Sequence, residues 1–337
     1  MIIAAKQSDG RLDCDASIGC FVGGQLAAAG RDVCFLAHQR IVDEVATRGL
    51  TLTDRDGGSA QVAAGRIAIG TDPALLASAD VVLVTVKSGA TREMARTIRQ
   101  FAPAKAIVVS LQNGIDNATI LQEELPQMLV VAGMVPFNVV ALGEGRFHRG
   151  TDGDIVIDAK SGPLAQALST PHMKVKVHPD MNAVAWGKLL LNLNNALNAL
   201  AGVPLREEIA DRRWRLVLAA CVAEALAALH AAGIRPARVA SLPPSALPRV
   251  LRLPDFLFRL VAARQVKIDP NALSSMCNDL EQRRTTEIDQ LQGAVVALAS
   301  AEGLRAPMNQ AVLELVKAAE KKGAGSPRLT AAEVRAR

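Results

Sequence analysis

The sequence predicts an α/β doubly wound parallel sheet followed by a mainly helical second domain. Three observations carry this. Between Asp32 and Leu111, short continuous apolar runs alternate with helical stretches, and such runs belong to parallel strands covered on both faces. After about His178 the strand-like runs give way to long helical periodicities. The 337 residues suffice for two domains of about 150 residues each.

The elements follow in order. Ile18 to Gly30 (IGCFVGGQLAAAG) reads as a small-residue helix ending in glycine. Asp32 to Ala37, Val81 to Val86 and Ala106 to Leu111 read as buried strands, with a helix from Thr91 to Phe101 between the last two. This strand–helix alternation is the doubly wound pattern. Leu129 to Val135, Gly153 to Ile157 and Lys174 to Val177 are further expected strands. Expected helices then cover Asn182–Leu200, Glu207–Ala232, Asp255–Val266, Ala272–Ala301 and Asn309–Lys321, with a proline-punctuated stretch around Pro243 to Pro254. The expected domains are 1–178 and 179–322, with residues 323–337 a loosely held tail.

Composition narrows the function. Half of the residues are hydrophobic and 21% are charged, which excludes a disordered chain. Tyrosine is absent and aromatics are 3%, which argues against stacking platforms for nucleic acid. The net charge of +5 is spread along the chain, so it favours small anionic ligands over nucleic acid only slightly. Five cysteines (Cys14, Cys20, Cys34, Cys221, Cys277) form no CxxC, which points to reduced thiols in a cytoplasm rather than disulfides or a metal site. The start lacks the pattern of an ordinary signal peptide. The Leu216–Ile234 run carries Glu224 and His230, so a buried helix explains it better than a membrane span. No HExxH or GxSxG occurs.

A dinucleotide site requires glycines where the first strand meets the first helix. In the window Cys14–Gly19 (CDASIG) only the third position, Gly19, is glycine, and the preceding KQSDGRLD is too polar for a buried strand. Ser17, Ile18 and Gly19 are the cofactor candidates there. The second strand is followed directly by His38, Gln39 and Arg40, none acidic, and Arg40 can pair with a 2′-phosphate, which favours NADP over NAD; a solvent-facing arginine is the alternative. Lys87 and Asn113 follow predicted parallel strands at their carboxyl ends, where open α/β sheets bind ligands. A surface lysine and a plain Asn-Gly turn are the bland readings.

On the run Trp186–Leu200 (WGKLLLNLNNALNAL), Lys188, Asn192 and Asn195 fall on one helical face at i, i+4 and i+7, amid leucines. Buried ammonium and amide groups need partners. A polar substrate or core hydrogen bonds can supply them. In Ser274–Asp289, Ser275 can hold a carboxylate at a helix start and Glu287 can accept from a hydroxyl. The alternatives are an N-cap for Ser275 and an ion pair of Glu287 with Arg283 or Arg284.

The order IGCFVGGQLAAAG, ADVVLVTVKS, VVSLQNGIDN, WGKLLLNLNNALNAL with GVPLREE, then SSMCNDLEQRRTTEIDQLQG resembles the ketopantoate reductases (2-dehydropantoate 2-reductases), from about Ser17 to Lys321. The segment Leu247–Pro270 looks like the longer bacterial branch. The resemblance implies an N-terminal Rossmann domain and an all-α C-terminal domain like that of 6-phosphogluconate dehydrogenase. It implies NADPH-dependent reduction of 2-dehydropantoate to (R)-pantoate, on the pathway to pantothenate and coenzyme A. Lys188 matches the family's catalytic lysine, and Asn192 a substrate asparagine. Asn195 matches the next one with a spacing one residue shorter, Ala196 being the gapless alternative. Ser275 matches the serine that meets the substrate carboxylate, Glu287 the glutamate near ribose and substrate, and Lys87 and Asn113 the cofactor-side pair. The chain departs from the family's GxGxxG and from the basic residue expected where His38 stands. The partner implied is a small 2-oxo acid, with no nucleic acid and no membrane. The long Ala/Leu helices are compatible with a homodimer. The alternatives are reduction of another 2-oxo acid, or a cofactor-impaired relative that binds or regulates.

Overall fold

The computed structural model describes residues 2–5, 14–239, 242–262 and 272–336. The chain divides into two compact units, 1–181 and 182–337. The N-terminal unit runs β1 (Ile2–Ala5), α1 (Cys14–Ala28), β2 (Cys34–Ala37), α2 (Gln39–Arg48), β3 (Leu50–Asp54), β4 (Ser59–Val62), β5 (Ala68–Gly70), β6 (Val81–Val84), α3 (Thr91–Phe101) and β7 (Ile107–Ser110). It continues with α4 (Asn117–Glu124), β8 (Leu129–Met134), β9 (Val139–Gly143), β10 (Arg146–Arg149), β11 (Ile155–Asp158), α5 (Gly162–Leu168) and β12 (Val175–His178).

Eight strands form one sheet in the order β12-β11-β8-β7-β6-β1-β2-β5. From β5 through β8 every pairing is parallel. That stretch has the dinucleotide-fold order 3-2-1-4-5-6, whose switch point falls between β1 and β6. Side chains alternate between two cores. Phe35, Leu83 and Val109 pack with Phe21 and Leu26 of α1, while Leu36, Val82, Val84 and Val108 pack with Met94 and Ile98 of α3. Burial on both faces is why these strands read as continuous apolar runs.

Three differences from the sequence reading appear in this unit. The first strand is IIAA at residues 2–5, ahead of the polar stretch, paired with Cys34–Ala37 on one side and Val82–Val84 on the other; four residues are too short to stand out locally. Cys14–Gly19, read as a dinucleotide turn, is helical within α1, and residues 6–13 lie outside the described residues. A second sheet, β4-β3-β10-β9, was not expected. It joins β3 to β10 in parallel, a pairing across nearly a hundred residues that no local pattern reveals. Gly24 of α1 suits this layer: a Cβ there would sit 2.8 Å from the Leu52 side chain of β3.

The regular elements described in the second unit are helices: α6 (Met181–Ala201), α7 (Leu205–Ala210), α8 (Arg212–Ala231), α9 (Leu247–Leu251), α10 (Asp255–Ala262), α11 (Ser275–Glu281), α12 (Gln292–Ala301), α13 (Pro307–Lys322) and α14 (Ala331–Arg335). Two expected helices are split. Asp211 ends α7 and caps α8 by accepting from the Arg213 N–H at 2.8 Å. A left-handed Arg283 (φ 56°) and a 3-10 turn at Ile288–Gln290 separate α11 from α12. The expected helix 255–266 is described to Ala262, and its last four residues lie outside the described residues. The tail expected to be loose is docked through residue 336. Thr330 and Glu333 form a capping box, Val334 is fully buried, and the Leu329 N–H donates to the Leu200 carbonyl at 2.8 Å. Apolar Ala331 and Val334, three apart on one face, give this short helix something to bury. α8 is long and apolar enough to cross a membrane by length and composition. In the fold it is a core helix that buries Trp214, Val217, Cys221 and even Arg215.

Candidate active site

The N-terminal unit assembles its candidates where β6 and β7 end. Lys87 is 6% exposed and precedes the 3-10 turn Ser88–Ala90. Asn113 is half-buried after β7. A buried polar network ties the two loops together. Ser88 Oγ donates to the Asn113 carbonyl at 2.9 Å, and Asn117 Nδ2 donates to that carbonyl and, at 3.0 Å, to Ser88 Oγ. Thr91 Oγ1 donates to Asn117 Oδ1 at 2.7 Å. Gln112 closes the network: its Nε2 donates to the Val86 carbonyl (3.0 Å) and Thr91 Oγ1 (2.7 Å), and its Oε1 accepts from Ser110 Oγ (3.1 Å). Sequence reading passed over Thr91, Gln112 and Asn117. The available signal was polar residues clustered directly after apolar strand runs, where buried polar groups must find partners. The outcome is two strand-end loops locked to each other, with the Lys87 ammonium after β6, beside the sheet's switch point, and the Asn113 amide one strand further on, groups of the kind that receive a phosphate or carboxylate.

The remaining cofactor candidates are placed differently. Ser17 and Gly19 are buried and Ile18 half-buried in the opening turns of α1. Arg40 is not extended from the sheet edge; it turns along α2 to bond Glu44 Oε1 at 2.6 Å. His38 is the N-cap residue of that helix.

The C-terminal unit carries its candidates on α6. Leu189, Leu190, Leu193, Leu197 and Leu200 are buried, while Lys188, Asn192 and Asn195 are half-buried along one face. Ala196, the gapless alternative to Asn195, is fully buried, so it has neither the access nor the polar group to hold a ligand. Gly187 lets the chain cross tightly beside Lys188: a Cβ there would sit 2.2 Å from the Ala237 carbonyl, while the Ala237 N–H donates to the Ala183 carbonyl at 2.8 Å.

α11 starts against this face. Its N-cap is Ser274, not Ser275: Ser274 Oγ accepts from the Cys277 N–H at 3.1 Å and donates to the Asn195 carbonyl at 2.9 Å. The Ser274 N–H in turn donates to Oδ1 of the fully buried Asn198 at 2.9 Å. Ser275 is therefore exposed at the first helical position and not used as the cap. Glu287 is half-buried ahead of the 3-10 turn. Of the arginines weighed as its partners, Arg284 pairs with Asp279 at 2.7 Å. Ser274 and Asn198, also missed from sequence, join the two helices that bear the substrate candidates. Burial pushes the Cys20 thiol up to about 12 and the Cys277 thiol up to about 11, so neither is a nucleophile near neutral pH. Among the described residues no cluster of metal-ligating side chains occurs.

A family profile described as Ketopantoate reductase PanE/ApbA matches residues 16–162, and one described as Ketopantoate reductase PanE/ApbA C terminal matches residues 180–320. The chain is 31% identical over 316 residues to 2-dehydropantoate 2-reductase of Halobacterium salinarum, covering 91% of this chain and 97% of that one. It is similar to the crystal structure of a PanE/ApbA family ketopantoate reductase from Ralstonia eutropha JMP134, with TM-score 0.77 and 27% identity over 96% of this chain and 99% of that one. The ternary structure of D-mandelate dehydrogenase with NADH and anilino(oxo)acetate shares the fold, with TM-score 0.75 at 19% identity over 96% and 99%.

Proposed function

The chain belongs to the ketopantoate reductase family, oxidoreductases acting on a CH–OH group, and from that premise we propose that it reduces 2-dehydropantoate to (R)-pantoate with NADPH. The observation that carries this is the half-buried row Lys188, Asn192, Asn195 on an otherwise leucine-packed helix.

The residues at the strand ends fit an anionic dinucleotide. Buried Lys87 and half-buried Asn113 stand at carboxyl ends of parallel strands in the dinucleotide-fold order, where such cofactors bind. Lys87, Asn113 and the opening of α1 at Ser17–Gly19 would hold the cofactor, with Arg40 recruited from Glu44 to a 2′-phosphate and Glu287 accepting from a hydroxyl. When bound, reduced nicotinamide supplies the hydride; orientation and electrostatics are the protein's contribution.

As C2 of the 2-oxo acid is reduced, its carbonyl oxygen gains negative charge. The Lys188 ammonium stabilises that charge and donates a proton to the oxygen, leaving a neutral amine that regains its proton from solvent. Asn192 and Asn195 orient the substrate hydroxyl, and Ser275, at the start of α11, holds the carboxylate. The backbone tie from Ser274 to Asn195 supports the last assignment, because it seats that helix start beside the amide row. The reading places the enzyme in the cytoplasm, acting on a small molecule rather than on nucleic acid or membrane.

The test is NADPH titration by fluorescence, followed by absorbance decay at the nicotinamide band with ketopantoate added. Tight binding with turnover is expected. Turnover with a different 2-oxo acid would move the substrate, and absence of NADPH binding would overturn the cofactor reading at the Cys14–Gly19 segment, where only Gly19 is glycine.

A further inference from the structure

Glu208 of α7 is 1% exposed. Its Oε2 accepts from Asn194 Nδ2 of α6 at 2.9 Å. The other oxygen of each side chain, Glu208 Oε1 and Asn194 Oδ1, is buried and without a hydrogen-bond partner. Two orphaned acceptors on one bonded pair are a costly arrangement if the carboxyl is ionised. One proton placed between them removes both costs. We propose that Glu208 is carried in the fold as a neutral acid and closes a two-bond ring with Asn194. In that ring Asn194 Nδ2–H donates to Oε2 and Glu208 Oε1–H donates to Asn194 Oδ1.

The surroundings agree. Among the described residues no ion pair reaches Glu208. Its charged neighbours include four that line the same cavity of about 310 Å³: Glu207 from α7, Asp211 at the cap of α8, Arg213 from α8, and Arg328 from the segment before α14. Buried Arg215 of α8 donates to the Ile209 and Ala210 carbonyls at 3.2 and 2.9 Å and pairs with Asp255 at 2.6 Å. Arg213 is held by Asp211 through bonds of 2.8 to 3.1 Å. From α6 come only uncharged groups, because its one ionisable side chain, Lys188, lies six residues earlier. The second amide nearby, Asn198, gives one N–H to the Val203 carbonyl at 2.8 Å and accepts from the Ser274 N–H, which leaves its other N–H for the Glu208 carboxyl. Burial is the largest influence on the Glu208 carboxyl and pushes it up to about 8; the amides of Asn194 and Asn198 pull it down, and the Asp211 charge raises it.

The ring makes Glu208 a positioning residue. It clamps α7 to the turn of α6 between Asn192 and Asn195, and the clamp depends on one proton. The folded chain holds that proton more tightly than the unfolded chain. The stabilisation is therefore complete below the ordinary value of 4.5, declines as pH rises, and is gone above about 8. This inference does not depend on the reductase reading.

Glu208→Gln is the test, since a glutamine reproduces the neutral ring without a titrating group. Melting temperatures of the full chain and E208Q are compared from about pH 5 to about pH 9. E208Q is expected to gain on the parent as pH rises to about 8, by roughly 5 °C or more, and to gain nothing further above it. A constant difference across that range overturns the proposal. Infrared difference spectra give a second reading that survives a misfolded variant. At neutral pH the parent is expected to show a protonated-carboxyl C=O stretch that titrates away above about pH 8, and its absence means Glu208 is ionised.

Discussion

The two units place their candidate residues by opposite means. In the N-terminal unit, Lys87 and Asn113 sit on loops, and their placement rests on side-chain hydrogen bonds through Ser88, Thr91, Gln112 and Asn117. In the C-terminal unit, Lys188, Asn192 and Asn195 ride on a 21-residue helix, and their alignment follows from helical geometry alone. A loop-borne site thus depends on polar partners elsewhere, whereas a helix-borne one depends on the packing of the opposite face. Changes that touch no ligand should therefore harm the first more readily than the second.

The largest effect tests the helix. Lys188→Ala is expected to lower kcat by at least ~10²-fold, about 2.7 kcal/mol of barrier, while the urea midpoint stays near the parent's. Near-normal turnover would remove Lys188 from the chemistry. Next comes the loop network. Gln112→Leu strands the Ser110 hydroxyl and the Val86 carbonyl and leaves the Thr91 hydroxyl only its bond to Asn117, and is expected to cost about 2–3 kcal/mol in denaturant unfolding and to weaken NADPH binding. Unchanged NADPH affinity would mean that the loops hold their shape without it, erasing the contrast. Arg40→Ala separates the two partners of that side chain. A preference for NADPH over NADH that falls by roughly tenfold, about 1.4 kcal/mol, identifies a 2′-phosphate ligand; an unchanged ratio leaves Arg40 as the partner of Glu44. Smallest is Ser274→Ala, which removes the α11 cap and the tie to Asn195. About 1 kcal/mol of stability should go, with a raised KM for the 2-oxo acid and an unaltered Kd for NADPH. A matched rise in both constants would make the serine merely structural.

Legibility in the sequence followed the same division. The helix from Thr91 to Phe101 coincides with α3, and the buried parallel strands stood out because both of their faces are covered. The row on α6 was visible as spacing. Ser275 was singled out correctly as a residue at a helix start, but the cap proved to be its neighbour Ser274, because only the fold shows which hydroxyl meets the Cys277 N–H and the Asn195 carbonyl. Residues 207–232 read as one helix because Asp211 suits a helix cap as well as a solvated helix face, and tertiary packing chose the cap. The docked α14 was missed because two apolar residues in a polar tail carry little weight without the surface that receives them.

Sequence alone determined the α/β-then-helical order, the apolar strands and the face shared by Lys188, Asn192 and Asn195. Each of these is a local periodicity, set by backbone geometry and the segregation of apolar side chains from water. Tertiary structure decided what depends on residues far apart in the chain: the placement of IIAA between β2 and β6, the β3–β10 pairing, the strand-end network and the Glu208–Asn194 pair. Hydrogen bonds and buried charges take their strength from partners and desolvation that only the folded chain supplies.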